Sequence, residues 1–459
     1  MTEPHSETRG IWGAIAAAEP RTELAQGLVS ELHDGLTTLD DLPPAVTFFG
    51  GARITPDDPY YAQAHAMGEI LAHRNVAPRT GAGPGIMAAV PEGFRAATNQ
   101  NGDPLPHHTP GKGPQPLTQG FNIVLPFEQS INPAIDVSLE LLHFPTRKLM
   151  LYKNCLGLVI FPGGFGTLDE LLEVWRLKSA GNLNYPVVLY GKEFWKPLEA
   201  ALHVACDACE SSLLPEDLLS LLVCTDDPEE AVDLILDPDQ PPTIHEPLMN
   251  LGTRIARELI EGLNYLEHLP TAVTFLGGSR FAEDDAFGRL AEEIAFHLGT
   301  HDIPTRAAGP GTLSVALARG GHRGSPFLPQ QAFGMRRADA RNLYGADRVH
   351  LVSDRLTHKV LLTEGSRAVI ALPGGLGTLD ELFSVLCQLQ TLKVSSRPIV
   401  LVGSSYWNPI LDTLRAVMLD GPRQTIGPGD LNLVSITDDP QEAAELALAP
   451  PPVATPRGH

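Results

Sequence analysis

The strongest constraint on this chain of 459 residues is that its sequence repeats. The segment at residues 157–175, GLVIFPGGFGTLDELLEVW, returns at residues 368–386 as AVIALPGGLGTLDELFSVL, a shift of 211 positions. The segment at residues 31–53, ELHDGLTTLDDLPPAVTFFGGAR, matches ELIEGLNYLEHLPTAVTFLGGSR at residues 258–280. The matching segments keep the same order in both halves, so we predict one folding unit that occurs twice.

The shift between the two copies falls along the chain, and the fall locates the residues that differ. APRTGAGPGIMAAV matches IPTRAAGPGTLSVA at a shift of 226, whereas CTDDPEEAVDLILDP matches ITDDPQEAAELALAP at 212. About fifteen residues between Arg95 and Lys148 therefore have no counterpart in the second copy. They belong to NQNGDPLPHHTPGKGPQPLTQG, whose composition is typical of a loop. The predicted parts are an N-terminal segment 1–19, a first domain 20–238, a proline-rich linker 239–247, a second domain 248–450 and a C-terminal tail 451–459.

Short apolar runs alternate with helical patterns in each copy. The first copy contains AVTFFGG, FNIVLP, LGLVIFPGG and YPVVLYG, and a helical pattern such as YYAQAHAMGEILAHR. Continuous apolar strands between helices indicate a parallel sheet that is covered on both faces. The predicted fold is α/β, with two tandem Rossmann-like, doubly wound parallel-sheet domains that bind ligands at the carboxyl ends of the strands.

Charge and composition exclude some classes of partner. The formal charge of −22 argues against nucleic acid and against an anionic membrane surface, because both are bound through clustered Lys and Arg. The N-terminal sequence lacks the pattern of a signal peptide, and no apolar run approaches the roughly 20 residues that span a bilayer. We therefore expect a cytoplasmic protein. Its five cysteines, including Cys206 and Cys209 in HVACDACE, are interpreted as structural thiols rather than as a metal or redox site.

Two glycine-rich loops in the first copy follow predicted strands and open predicted helices. They are TGAGPGIM, with Gly83 and Gly85, and FPGGFGT, with Gly163, Gly164, Gly166 and Thr167. Such loops expose backbone N–H groups at the positive end of a helix and can bind phosphate, although the same glycines also serve tight turns. Thr167 can donate a hydroxyl group to a ligand or cap the helix. Neither loop has the P-loop or the full dinucleotide pattern, so a mononucleotide fits better than NAD or ATP.

Charged residues lie close to the second of these loops. In LDELLEVW the apolar residues form one stripe, from which Glu170 points away. The simplest interpretation is that Asp169, Glu170 and Glu173 face solvent and complement the helix dipole. Upstream, Arg147 and Lys148 in FPTRKLML either pair with these acids or complete a phosphate site.

In this order, TGAGPGIM, GFNIVLPFEQSINP, the Arg147 and Lys148 pair and PGGFGTLDE resemble the Lonely Guy (LOG) family. Its members are Rossmann-like nucleoside 5′-monophosphate phosphoribohydrolases, some of which release cytokinins, and many carry the label lysine decarboxylase. The resemblance covers about residues 43–237. The decarboxylase label lacks support in the sequence, because that reaction needs pyridoxal phosphate on a Schiff-base lysine.

The resemblance implies hydrolysis of the N-glycosidic bond of a nucleoside 5′-monophosphate, such as AMP or a cytokinin ribotide, to free base and ribose 5-phosphate. It assigns the catalytic roles to Arg147 and Glu170. Lys148 and the glycine loops, with Gly83 and Gly85, would bind the nucleotide. No cofactor and no metal are expected. Family members usually form dimers, so the two copies are expected to form a pseudo-dimer within one chain, which can assemble further into a homo-oligomer.

The second copy departs from this pattern at the cation. His358 stands where the first copy has Arg147, and a neutral imidazole cannot replace a guanidinium. Elements of a second site persist: Lys359, Gly374, Gly375, Gly377, Thr378 and Glu381. The second copy is thus a degenerate partner, a regulatory nucleotide site or a second active site that uses His358. For the whole chain, the alternative to an enzyme is a non-catalytic carrier or sensor of a nucleotide or cofactor.

Overall fold

The structure is a computed structural model that describes residues 22–99, 101–103, 105, 117–126, 130–207, 221–237, 246–278, 285–309, 311–336 and 345–451. The predicted segment 1–19, most of the predicted linker 239–247 and nearly all of the tail 451–459 lie outside the described residues, as does Cys209. Below, residues 22–237 are called the first half and residues 246–451 the second half.

The elements of the first half are α1 (Glu23–Asp40), β1 (Ala45–Phe49), α2 (Pro59–His73), β2 (Ala77–Thr80), α3 (Ile86–Ala96), β3 (Gln119–Ile123), β4 (Val137–Leu141), α4 (Phe144–Tyr152), β5 (Cys155–Ile160), α5 (Phe165–Ser179), β6 (Val187–Tyr190), α6 (Lys192–Asp207), β7 (Val223–Thr225) and α7 (Pro228–Ile235). Strands and helices alternate through this half except at β3, which is followed directly by β4.

The second half has the same order of elements. They are α8 (Leu248–Leu266), β8 (Ala272–Leu276), α9 (Ala286–Thr300), β9 (Thr305–Ala308), α10 (Thr312–Gly324), β10 (Gln331–Met335), β11 (Arg348–Val352), α11 (Arg355–Thr363), β12 (Ser366–Ala371), α12 (Leu376–Gln390), β13 (Ile399–Val402), α13 (Ser404–Leu414), β14 (Ser435–Thr437) and α14 (Pro440–Leu448). A π-helical turn, Arg415–Leu419, follows α13.

Each half contains one seven-stranded sheet whose paired strands are parallel. The first sheet has the order β4-β3-β2-β1-β5-β6-β7, and the second has β11-β10-β9-β8-β12-β13-β14. The direction of winding reverses between β1 and β5 and between β8 and β12, which is where a doubly wound sheet opens a crevice. The predicted fold class is confirmed.

The extra residues of the first half lie where the sequence predicts them. Residues 97–118 connect α3 to β3, whereas residues 325–330 suffice between α10 and β10. The alignment of β2 with β9, however, is wrong by one residue. Arg79 matches Arg306 rather than Thr305: their Nε atoms donate to Gln119 at 2.9 Å and to Gln331 at 3.0 Å. The glycine loop that follows is therefore one residue shorter in the second half.

The hydrophobic core has one part that both halves share. A cluster of buried apolar side chains contains residues of α1, α5 and α6 together with residues of α8, α12 and α13. At its centre α5 packs against α12, and the rings of Phe165 and Phe383 meet edge to face with centroids 5.7 Å apart. Each half has a further cluster on the outer face of its own sheet. No helix in the described part of the chain is long and apolar enough to cross a membrane.

Helix α5 departs from the sequence interpretation because its polar side is buried as well. Asp169, Glu170 and Glu173 are only 1%, 8% and 6% exposed, so the prediction that they face solvent is wrong. The apolar stripe of α5 faces the core of the molecule. Its acidic side is covered by basic and polar side chains of α4, α11 and α12, which the pattern of one helix cannot reveal.

Candidate active site

The second glycine loop connects β5 to α5 at the carboxyl edge of the first sheet. Gly164 is the N-cap of α5 and makes no side-chain capping bond, so the N–H groups of the first turn are available to a ligand. Thr167 lies inside the helix and does not cap it. Close packing requires glycine at position 163, because a Cβ atom there would lie 2.1 Å from Oγ1 of Thr167 and 2.9 Å from N of Gly51.

The first glycine loop supports the guanidinium group of Arg147. A Cβ atom on Gly81 would lie 2.0 Å from Nη2 of Arg147, so only glycine permits this approach. Gly85, at φ +69°, packs against the backbone oxygen of Gly51. Neither Gly83 nor Gly85 is among the described residues that line the adjoining cleft, whereas Gly81 is.

The structure brings the two predicted catalytic residues together. Arg147, on α4, and Glu170, on α5, are both buried, and Nη1 of Arg147 lies 3.3 Å from Oε1 of Glu170. The Nε atom of Arg147 donates to the backbone oxygen of Phe121 at 3.0 Å. This second bond fixes the plane of the guanidinium group beside the middle of β3.

Burial governs the ionisation of Glu170. It raises the pKa of this carboxyl group to about 7, although the positive charge of Arg147 acts in the opposite direction. Near neutral pH the group therefore exists in both forms. A carboxyl group with that pKa, at the side of a cleft, has the properties of a general acid or base.

Lys148 does not reach the cleft, contrary to what phosphate binding would require. Its Nζ atom lies 2.8 Å from Oδ1 of Asp169 and 2.6 Å from Oε2 of Glu173. Although burial alone would lower the pKa of Lys148, these carboxylates hold it well above its usual value. Lys148 is not among the described residues that line the cleft, so the structure gives it an ion-pairing position instead.

The ion pairs of Lys148 continue into the second half. Nζ of Lys359 lies 2.7 Å from Oε2 of Glu173 and 2.5 Å from Oδ1 of Asp380. Carboxylate oxygens of Asp169, Glu173 and Asp380 lie within 4.8 Å of one another, a spacing that could hold a metal ion. Three cations already pair with these three carboxylates, namely Lys148, Lys359 and Arg176, so the group is a buried ion network.

A cleft of about 150 Å³ opens beside Glu170 and Arg147. Its first-half lining includes Gly164, Gly166 and Thr167 from the loop that precedes α5 and its first turn. The second half contributes four further residues, which the sequence analysis did not identify: Cys387, Gln390, Thr391 and Thr425. The cleft is therefore built by both halves of the chain.

The corresponding position in the second half is arranged differently. His358 keeps the backbone contact of Arg147: its Nε2 lies 3.1 Å from the oxygen of Phe333, which corresponds to Phe121. Its Nδ1 is 3.6 Å from Oε1 of Glu381. Burial lowers the pKa of His358, although Glu381 opposes the shift, so the imidazole is neutral at pH 7.

The space beside Glu381 is filled by an arginine from the first half. Nη1 of Arg176, on α5, lies 2.9 Å from Oε1 of Glu381 and 3.0 Å from Oδ2 of Asp380. It also donates to the backbone oxygen of Gly377 at 3.2 Å. Gly374, Gly375 and Thr378 keep the geometry of the loop, and Gly375 is again an N-cap without a side-chain bond. The first half thus places the guanidinium group of Arg176 at the glycine loop of the second half.

The sequence contained a signal for this asymmetry, because the two copies differ where they contact each other. Position 176 on α5 corresponds to position 387 on α12, which carries Cys387 in place of an arginine. Cys387 lies beside the first cleft, where a Cβ atom added to Gly166 would be 3.7 Å from its Sγ atom. A short, neutral side chain leaves that cleft open.

Comparison with known proteins identifies the family of this chain. The family model described as "Possible lysine decarboxylase" matches residues 107–235 and 327–447, more than half of the chain. The chain belongs to this family, the Lonely Guy family. One LOG relative is the cytokinin riboside 5′-monophosphate phosphoribohydrolase of Rhodococcoides fascians, 27% identical over 187 residues, which are 39% of this chain and 91% of the relative.

A second LOG relative is a probable enzyme of the same name from Oryza sativa subsp. japonica. It is 31% identical over 136 residues, which are 29% of this chain and 52% of the relative. Among solved structures, a molybdenum cofactor binding protein from Rippkaea orientalis is similar at 18% identity and a TM-score of 0.31, over 43% of this chain and 97% of its own. A molybdenum cofactor carrier protein from Chlamydomonas reinhardtii is similar at 20% identity and a TM-score of 0.27, over 42% of this chain and 98% of its own.

Proposed function

We propose that the first half hydrolyses the N-glycosidic bond of nucleoside 5′-monophosphates and releases free base and ribose 5-phosphate. The observation that carries the proposal is the position of Glu170, buried beside Arg147 in a cleft that begins at the uncapped N-terminus of α5. The names of the relatives support the reaction, and they make cytokinin ribotides the substrates to test first.

In the proposed reaction, the bond between C1′ and the base nitrogen breaks and its electron pair leaves with the base. The ribose develops an oxocarbenium-like positive charge, which the Glu170 carboxylate stabilises. A water molecule attacks C1′ and Glu170 accepts its proton. The same proton then passes through solvent from Glu170 to the nitrogen of the departed base, which restores the carboxylate. Binding of the phosphate at the start of α5 positions C1′, so binding energy distant from the reacting bond contributes to the rate.

The second half acts in this proposal as a structural partner. The loop around Gly377 is filled by Arg176, and the charge of Glu381 is already neutralised by that cation. Either feature opposes a second active site, and the occupied loop also opposes a regulatory nucleotide. The second half instead completes the first cleft with four of its side chains.

The test is incubation of the full chain with AMP, GMP, CMP, UMP and a cytokinin ribotide, followed by detection of free base and ribose 5-phosphate. We expect E170Q to lower kcat about 100-fold or more, because it removes the charge that the transition state requires. E381Q is the matched control in the second half and should retain activity, with its folding checked by thermal melting. Activity of E170Q above half of the wild-type value would contradict the proposal. Saturable binding without release of any base would favour a carrier.

A further inference from the structure

Two buried polar side chains of the cleft lack hydrogen-bond partners. Both amide atoms of Asn122 and the hydroxyl oxygen of Thr425 have no partner within the described structure. Asn122 is 1% exposed and Thr425 is 6% exposed, and both line the cleft. Buried polar groups are nearly always hydrogen-bonded, because an unpaired one has lost water without compensation. Two such groups in one cleft indicate that a ligand supplies their partners.

These side chains lie at opposite ends of the cleft. Thr425 adjoins the phosphate end, since a Cβ atom on Gly164 would be 2.7 Å from the Thr425 backbone oxygen. Asn122 belongs to β3, which is separated from β5 by β2 and β1. At about 4.8 Å between neighbouring strands, the distance across the sheet is roughly 14 Å. A phosphate at the start of α5 therefore cannot contact Asn122.

We propose that Thr425 donates a hydrogen bond to the phosphate of the bound nucleotide and that Asn122 pairs with the edge of its base. The inference rests on the proposed function. A carboxamide presents one donor and one acceptor side by side, which complements a base edge that carries both. Thr425 belongs to the second half, so one half of the chain supplies a phosphate ligand to the other.

The two halves differ at this position in a way that agrees with the assignment. Phe121 and Phe333 correspond, because Arg147 and His358 contact their backbone oxygens. The next residue is Asn122 in the first half and Gly334 in the second. The amide is thus absent from the half in which Arg176 fills the space beside Glu381.

The phosphate end is tested with T425V, by calorimetric titration with ribose 5-phosphate. We expect affinity to fall about 10-fold to 100-fold, the range for a lost hydrogen bond to a charged group. The melting temperature without ligand should not fall, because the hydroxyl has no partner in the free protein. The control is T357V, which removes another buried, unpartnered hydroxyl of the second half away from the cleft. Unchanged affinity in T425V would overturn this assignment.

The base end is tested with N122L, by binding of AMP, GMP, CMP and UMP and by their kcat/KM values. We expect the ratio between the best and the worst base to shrink at least 10-fold, while the affinity for ribose 5-phosphate stays unchanged. N264L is the control, because Asn264 also has an unpartnered buried side-chain oxygen but lies outside the cleft. An equal loss for all four nucleotides would contradict a role in base recognition.

Binding and turnover separate this inference from the proposed function. If no nucleotide is hydrolysed but N122L still reduces discrimination in binding, the proposed reaction fails and the assignment of Asn122 stands. If hydrolysis occurs but N122L and T425V bind like the wild type, the reaction stands and this inference fails.

Discussion

Glu170 shows how a single residue can be costly to the folded protein and useful to a reaction. Its pKa of about 7 in the folded chain compares with an ordinary value of 4.5, and burial is the main cause. Between these two values the unfolded chain has already released a proton that the folded chain retains. The free energy of unfolding therefore decreases as pH rises from 4.5 to 7, because the ionised carboxylate is less favourable in the folded state.

This linkage predicts the effect of E170Q on stability. Glutamine resembles the protonated acid, so the variant should have about the same free energy of unfolding as the wild type at pH 4, below the ordinary pKa of the carboxyl group. At pH 8 it should be more stable by up to about 3 kcal/mol, the free-energy equivalent of the pKa shift. Urea unfolding at the two pH values measures the difference. A variant that is less stable than the wild type at pH 8 would show that the bond from Arg147 outweighs burial.

At the scale of secondary structure, α5 and α12 are held together by charge as well as by apolar packing. Glu173 of α5 accepts hydrogen bonds from Lys148 of α4 and Lys359 of α11 and so links the two halves. Burial alone would raise its pKa, but the two lysines lower it to about 2. The corresponding residue of α12 is Ser384, so α12 has no carboxylate at the position from which Glu173 of α5 bonds to both lysines.

Removal of this carboxylate should destabilise the chain. E173Q leaves two buried ammonium groups with fewer counter-charges, and the expected loss is about 3–5 kcal/mol in the free energy of unfolding. S384A, at the corresponding buried position of α12, should cost less than about 1 kcal/mol. The contribution of Glu173 is present in full above its ordinary pKa of 4.5 and is lost as pH falls towards 2. Urea unfolding of both variants at pH 7 and pH 4 checks the two statements.

The sequence predicted the strands and the glycine loops because both have local causes. The apolar run CLGLVI of β5 is buried by its own composition, and Gly163 is required by the side chain of Thr167, four residues further along the chain. The residues that surround α5, by contrast, come from other parts of the sequence. Its pattern shows which side is apolar, but the cations that cover Asp169 and Glu173 lie on α4 and α11. Solvent exposure was therefore predicted for side chains that the fold buries.

Other parts of the site depend on contacts between the halves. Thr425 lies about 260 positions from the loop that it adjoins, and no periodicity connects them. The alignment of the copies failed at β2 because the AGPG segments match at a shift of 226 positions. Arg79 and Arg306, which make equivalent hydrogen bonds, are instead 227 positions apart. Internal repeats predict the fold of each half, while the differences between them indicate where the halves meet.

At the scale of the whole molecule, the contact between α5 and α12 makes the two clefts unequal. Arg176 extends from the first half to Asp380 and Glu381, and despite burial these carboxylates raise its pKa further. Cys387, at the corresponding position, leaves the first cleft open, and burial keeps its thiol protonated by raising its pKa. One helix position therefore carries a cation beside the glycine loop of the second half and a short thiol beside that of the first half.

An arginine at position 387 should close the first cleft. C387R places a guanidinium group near Gly166 and Glu170, in the arrangement that Arg176 adopts beside Gly377 and Glu381. Base release should fall about 100-fold or more, because the cation neutralises the carboxylate and occupies the ligand's space. C387S, which keeps a short side chain, should retain activity. A fully active, folded C387R would show that the size of residue 387 does not control the cleft.

The asymmetry of positions 176 and 387 has a consequence for what a single gene can encode. In a dimer of identical subunits, one codon would specify both positions, so an arginine would block both sites and a cysteine would leave both open. In this chain the two codons mutate independently, so one half can keep an open cleft while the glycine loop of the other is filled by an arginine. Covalent linkage also keeps Thr425 at the first cleft however dilute the protein becomes.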